Sequence, residues 1–309
     1  MPSPTPQPLT LALGGGGAKC AAQAAVLAVL EEAGLPVGPL VGVSGGGLVA
    51  VLYGAGFTPA QIRDEFAHIH LHEYWEPDPE HQALFGASRI RARFQELVGE
   101  KTFADLKRPA VALAMDFHTA RVVQLTSGLL VDAMTATMAI PGLFRGVQRG
   151  DELLMDCGVI SPLPVDVARE LGPRVVAVDV LHHNAPEEFE NILDARGPLR
   201  YAGDLTRRLG LSTILGNGYQ AVKIAMQQLS EWQLAKSPPD LLLRPAVGPV
   251  GLFGFHQITH AYTMGEAAAR AALPQLEALA RQSSPAGWRG LWRRLRAGRP
   301  PKNANRRGR

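Results

Sequence analysis

The 309 residues carry 46% hydrophobic and 6% aromatic side chains, enough for one large buried core and ordinary for a soluble chain rich in Ala, Gly and Leu. Two cysteines exclude a disulfide scaffold and a cysteine-rich zinc site, and no apolar run reaches the roughly 18 residues needed to cross a bilayer. The formal charge of +3 is uneven: ten Lys/Arg and no Asp/Glu lie between Arg281 and Arg309, which leaves 21 of the 31 basic residues against all 28 acidic ones in the body.

Met1 to Pro8 is polar and proline-rich without a basic leader region, so a cytoplasmic protein is expected. Leu9, Leu11 and Leu13 read as a strand that runs into an unbroken glycine tract, Gly14 to Gly17, followed by a helix over Lys19 to Ala33 that Gly34 and Pro36 stop. A second apolar run, Pro39 to Val43, meets a small-residue helix pattern (Leu48 to Ala55) at Ser44. Pro59 to His72 and Ala87 to Val98 read as helices, and Tyr74 to Phe85, with Pro77 and Pro79, as a loop between them. Ala110 to Met115 and Val175 to Val180 have the composition of buried strands, and Leu241 to Leu243 marks another before Pro245. Alternation of strands and helices predicts an α/β fold with a mostly parallel sheet. Residues 182–237 lack a strand signal and include the amphipathic stretch Tyr219 to Trp232, which predicts a helical insertion. Ile258 to Arg281 reads as a closing helix bent at Pro274. One domain over 9–281 and a basic tail over 282–309 follow.

Gly42-Val43-Ser44-Gly45-Gly46 at a strand-to-helix junction has the form of a nucleophile elbow, in which small flanking residues let the chain turn tightly enough to free the hydroxyl. The alternative is a tight turn whose serine caps the helix. The glycine tract opens a helix after the preceding strand, on the sheet edge where α/β proteins hold ligands, and can offer backbone N–H groups to a negative charge. It fits nucleotide loops poorly. Ala18-Lys19-Cys20 lacks the Gly and the hydroxyl of a Walker A loop, and Gly15-x-Gly17 reaches Cys20 where a dinucleotide fingerprint needs its third glycine. A general base is required, yet the histidines fall in loops (His68, His70, His72, His81) or near the insertion (His182, His183, His256, His260). Asp156 differs: it follows the apolar run Leu153-Leu154-Met155 and precedes Cys157-Gly158, a context that also suits an Asx-turn residue.

This combination resembles the patatin-like phospholipases of the bacterial, neuropathy-target-esterase-related type, which carry Gly-Gly-Gly-x-Arg/Lys-Gly, Gly-x-Ser-x-Gly and Asp-Gly-Gly/Ala in that order. Connecting segments agree: Met134 to Phe144, containing Ala139-Ile140-Pro141-Gly142-Leu143-Phe144, is similar to a family segment, as are Phe103-Ala104-Asp105-Leu106 and Ser161-Pro162-Leu163-Pro164-Val165. The likeness is strong from Leu9 to Val180 and loose from Asp240 to Ala272. It implies a three-layer α/β/α patatin-like fold and a Ser-Asp dyad, with Ser44 as nucleophile and Asp156 as base. Counting back from Lys19, it puts the oxyanion hole on Gly15, Gly16 and Gly17, with Gly42, Gly45, Gly46 and Gly158 flanking the motifs. The implied reaction is hydrolysis of fatty-acyl esters of phospholipids or lysophospholipids, and no metal-ligand spacing stands out, so catalysis without a cofactor is expected. A Ser-His-Asp hydrolase acting on soluble esters and a non-catalytic lipid-binding module are the competing readings.

The chain departs from the family pattern at Cys20 and Cys157, which replace glycines. Each adds a Cβ that would cost about 1–2 kcal/mol if its backbone were left-handed, and the two thiols could neighbour each other and respond to oxidation. In the tail, Trp288, Leu291, Trp292 and Leu295 recur at i, i+3, i+4 and i+7 among Arg289, Arg293, Arg294 and Arg296. That is the pattern of an interfacial helix, which implies a lipid substrate and peripheral contact with the inner membrane face rather than a specific nucleic-acid partner.

Overall fold

The computed structural model of the protein describes residues 5–70, 73–74, 76–182 and 211–283, the side chains of 211–215 excepted. Strand β1 (Leu9–Leu13) is buried at every position, as is β3 (Ala110–Asp116), and β2 (Val37–Val43) at all but its first. Such continuous burial is why these segments read as unbroken apolar runs. With β7 (Val175–Val178) and β8 (Leu241–Leu243) they form a parallel array in the order β3-β2-β1-β7-β8. Three short strands, β4 (Arg121–Leu125), β5 (Val147–Arg149) and β6 (Glu152–Met155), add an antiparallel border around β3.

Helices cover both faces, giving the three-layer α/β/α patatin-like architecture. Leu40 faces one layer and Val41 and Val43 the other, as the two-residue period of a strand requires. On the first face lie α1 (Ala21–Glu32), α2 (Gly45–Ala55), α3 (Pro59–Ala67), α4 (Ser88–Val98), α5 (Leu130–Met138) and α8 (Ile258–Ala271). Helices α6 (Val165–Leu171) and α7 (Leu211–Lys236) pack on the second. The remaining helix, α9 (Leu273–Arg281), adds Leu276, Leu279 and Ala280 to the first core. All eleven residues of α2 are buried, consistent with a helix that is apolar on every side.

Several boundaries differ from expectation for local reasons. Helix α3 starts on a Thr58–Gln61 capping box but stops at Ala67, five residues short of His72, where His68 takes the Asp64 carbonyl through both its N–H and its ring Nδ1 (2.7 Å). The closing helix is two helices: Pro274 has no N–H to donate, so the chain breaks at Ala272 and restarts with Pro274 in the first turn of α9. Of the stretch 182–237, residues 183–210 lie outside the described residues, and α7 places Lys223, Gln227 and Ser230 inside while Val222, Ile224 and Trp232 face out. The tail helix pattern at Trp288, Leu291, Trp292 and Leu295 also lies outside the described residues. Among those described, no helix is long and apolar enough to cross a membrane.

Candidate active site

Residue 113 of β3 pairs with Val43 of β2 on one side and Gln124 of β4 on the other, while residue 115 pairs with Val122 of β4 and Met155 of β6. A strand has two edges, so β2 and β6 share one edge of β3. Strand β6 therefore occupies, in the opposite direction, the lane that β2 leaves at Val43. Ser44 and Asp156 are the residues immediately past the facing ends of those two strands.

The Ser44 backbone is held at φ 55°, ψ −128°, a region that L-residues rarely adopt and that costs of order 1–3 kcal/mol. Its neighbours maintain that conformation. The Ser44 N–H donates to Thr137 Oγ1 (2.9 Å), which donates in turn to the Leu113 carbonyl (2.7 Å), tying the elbow to α5 and β3. Gly42 packs against the Gly46 carbonyl across the turn, and a Cβ on Gly46 would stand 2.6 Å from the Gly14 carbonyl oxygen, so the elbow helix and the glycine tract approach as backbone on backbone.

Asp156 is buried. Burial pushes its carboxyl up from 3.8 to about 6, against the opposing pull of hydrogen bonds from the Ser44 side chain and the Gly158 N–H (2.8 Å to Oδ1). The Ser44 hydroxyl also lies 4.0 Å from Met138 Sδ, which it can reach as a donor. The Asp156 N–H donates to the Ala139 carbonyl (2.9 Å), which fixes the height at which β6 delivers its carboxylate.

Gly17, at φ 55°, opens a one-turn helix over Gly17–Cys20 and lines the same cavity as Ser44. A Cβ placed on Gly15 would sit 3.5 Å from Ser44 Cβ, so the tract runs beside Ser44. One expected role changes here. The Gly15 N–H donates to the Pro162 carbonyl (2.9 Å), whereas among the described residues the N–H groups of Gly16 and Gly17 meet no backbone carbonyl. Lys19 is buried within the one-turn helix, and Gly45 packs against Cys20.

The expected left-handed strain at the cysteines is overturned. Cys20 is right-handed (φ −66°, ψ −11°), and neither cysteine is among the positive-φ residues, so the extra Cβ atoms carry no left-handed strain. Cys20 packs in the core under α1 and Cys157 in the cluster on the opposite face with Val41, Val43 and Leu171; both are free. Burial first, and then the Asp156 charge, raises both thiols well above the usual range, which keeps them neutral and unreactive.

A cavity of ≈ 770 Å³, counting its open mouth, extends from Ser44 and Gly17 over Leu48 and Leu52, which follow Ser44 at successive turns of α2. Its opposite wall is aromatic and aliphatic, including Phe66, Phe94 and Phe144. Polar groups enter it at the half-exposed Glu65–Arg93 ion pair (2.5 Å) and Tyr74. No described histidine lines it; His68, His70, His81, His118, His256 and His260 are exposed, His182 donates through Nδ1 to the Asp179 carbonyl (3.0 Å), and His72 and His183 lie outside the described residues. Among the described residues no three His, Cys, Asp or Glu side chains gather as metal ligands. The roles of Thr137, Met138 and the Pro162 carbonyl are not legible in the sequence: the segments Met134 to Phe144 and Ser161 to Val165 contain them, but nothing local marks the Thr137 hydroxyl as a support for the elbow or the Pro162 carbonyl as an acceptor.

The family model described as Patatin-like phospholipase matches residues 11–169. An uncharacterized NTE family protein of Mycobacterium tuberculosis is 28% identical over 279 residues, covering 86% of this chain and 46% of that protein. Patatin-like phospholipase domain-containing protein 7 of Rattus norvegicus is 29% identical over 187 residues, 56% of this chain and 13% of that one. The chain thus spans less than half the length of these curated relatives. Among solved structures, VipD from Legionella pneumophila is similar with a TM-score of 0.47 and 13% identity, covering 88% of this chain and 68% of that chain.

Proposed function

The chain belongs to the patatin-like phospholipase family, and from that premise we propose that it hydrolyses fatty-acyl esters of phospholipids or lysophospholipids through a Ser44–Asp156 dyad. The observation that carries the reading is the meeting of a strained serine elbow with a buried carboxylate at the head of an apolar cavity that Ser44 lines. An aspartate of ordinary pKa is a weak base towards a serine. Here burial raises it to about 6, so it remains ionised at neutral pH while holding a proton more readily than a solvated carboxylate.

In the proposed sequence Asp156 accepts the Ser44 proton as Oγ bonds to the ester carbon, and the carbonyl π pair moves onto oxygen. The N–H groups of Gly16 and Gly17 receive that oxyanion; one such donor contributes about 2.7–4 kcal/mol to the transition state. Collapse breaks the ester C–O bond, with the Asp156 proton passing to the departing alcohol. Water, deprotonated by Asp156, then releases the acid and returns Ser44. The acyl chain lies along α2. From Ser44 to Leu52 is eight residues of helix, about 12 Å at 1.5 Å per residue, room for a chain of medium length against an apolar wall. The tail around Trp288 and Trp292 supplies a lipid-surface contact in this reading, tested by vesicle cosedimentation of the full chain against one ending at Ser284.

Fluorophosphonate labelling is the direct test of the chemistry. The wild-type protein is expected to label at Ser44 and to hydrolyse a nitrophenyl ester, and both are expected to vanish in Ser44→Ala. Labelling and turnover that survive that change would overturn the reading, and turnover that depends on a histidine would return the Ser-His-Asp alternative.

A further inference from the structure

One peptide unit beside the nucleophile is held from both sides. The Gly14–Gly15 peptide donates through its N–H to the Pro162 carbonyl (2.9 Å), and its carbonyl oxygen accepts from Gln23 Nε2 (2.7 Å) and from Cys20 Sγ (3.5 Å). Gln23 stands on α1 in the run Ala21-Ala22-Gln23-Ala24-Ala25, is 0% exposed, and reaches the Val178 carbonyl at 3.5 Å as well. Its amide orientation follows from those two acceptors, because an oxygen turned toward two carbonyl oxygens would be repelled. The amide oxygen then points into the core without any partner.

A buried glutamine with an unmet acceptor is a poor choice for stability in an alanine-rich helix, where an apolar side chain would leave nothing unpaired. What it provides is a donor at the Gly14 carbonyl. The amides that follow this fixed peptide are those of Gly16 and Gly17, which have no backbone acceptor among the described residues. We infer that Gln23 is a positioning residue: it holds the Gly14–Gly15 peptide so that the next two N–H groups stay set for the oxyanion. Cys20, at the end of the preceding one-turn helix, assists and accepts from the Gly46 N–H, so that its sulfur links the glycine tract to the elbow helix. The inference rests on the proposed hydrolytic function.

Gln23→Met keeps the length of the side chain and removes the donor, whereas Gln23→Glu keeps a donor only while its buried carboxyl is protonated. For nitrophenyl ester hydrolysis, Gln23→Met is expected to lower kcat about 100-fold with KM within about twofold, the size of loss that follows small misplacement of transition-state groups. Gln23→Glu should stay near wild-type kcat at pH 6, compared at the same pH, and fall toward the Gln23→Met level by pH 9 as the carboxyl ionises. The inference is overturned if Gln23→Met turns over within threefold of wild type. It is also overturned if the Gln23→Glu to wild-type ratio is flat with pH, which decides the matter even if Gln23→Met fails to fold. Ser44→Ala separates the two layers: activity there defeats the hydrolase reading itself, whereas an inactive Ser44→Ala beside a fully active Gln23→Met defeats only the role of Gln23.

Discussion

The two halves of the sheet contribute to the site by different means. The parallel half holds Ser44 and the glycine tract at the ends of β2 and β1, strands buried along nearly their whole length and covered on both faces. The antiparallel border delivers Asp156 from β6, a four-residue strand whose partner β5 is largely exposed. On the first side a rigid core bears backbone strain at Ser44. On the second, a short hairpin is steadied by the Ala139 carbonyl and the Gly158 N–H. A reactive group that must sit in a costly conformation is placed where the structure is stiffest, and the group that only has to approach it arrives on the lighter border.

If the halves act as one unit, losing either should cost the same. Ser44→Ala and Asp156→Ala are each expected to reduce kcat by at least about 10³-fold, and the double variant should be no worse than either single one. Additive losses would break the comparison. The second effect separates the halves. Asp156 has a folded pKa above its unfolded value, so it favours the native state fully below about 4 and that contribution is lost as pH rises through about 6. Asp156→Asn should therefore abolish hydrolysis and yet stabilise the fold at pH 8, by up to about 3 kcal/mol from a shift of two units at 1.36 kcal/mol each. The gain should disappear near pH 4. Equal denaturation midpoints at both pH values would contradict that burial cost.

In the proposed mechanism the same carboxyl sets the pH dependence of turnover. The rate of hydrolysis, as kcat/KM, is expected to rise through an apparent pKa of about 6 and to fall tenfold per unit below it. A profile flat down to pH 4 would remove Asp156 as the base. The smallest expected effect falls on the support of the stiff half. Thr137→Val takes away the acceptor of the Ser44 N–H and should cost about tenfold in kcat with little change in KM, the range of one ordinary hydrogen bond. An unchanged kcat would mean that the glycines alone hold the elbow.

The same division governs what the sequence reveals. Where a strand is buried on both faces, its residues are apolar without interruption, so β1, β2, β3 and β7 stand out, and the motifs at their carboxyl ends stand out with them. Ser44 and the glycine tract follow from local chain chemistry. Asp156 does not: its importance depends on β6 entering the lane of β2 beside β3, a placement set by the non-local pairings of Val43 with Leu113 and of Met155 with Met115. Strands β4 and β5 mix Arg, Gln and Val on exposed backbone and leave no periodic signal. Helix α7 is legible as an amphipathic stretch, but the partners of its inward polar residues, such as the Leu181 carbonyl bonded by Gln227 and Ser161 bonded by Gln233, are not, because a hydropathy pattern cannot anticipate them. The occupied N–H of Gly15 belongs to the same class, since its acceptor, Pro162, is nearly 150 residues away.

Finally, the burial of Cys20 and Cys157, the chain's two sulfhydryl groups, has a practical consequence for watching the protein at work. Maleimide and iodoacetamide reagents require an accessible thiolate, so the native protein should pass through such treatment unmarked and with full turnover. A single cysteine introduced at an exposed position such as Leu84 or Trp232 would then be the sole attachment point for a fluorophore or spin label, with no background to subtract.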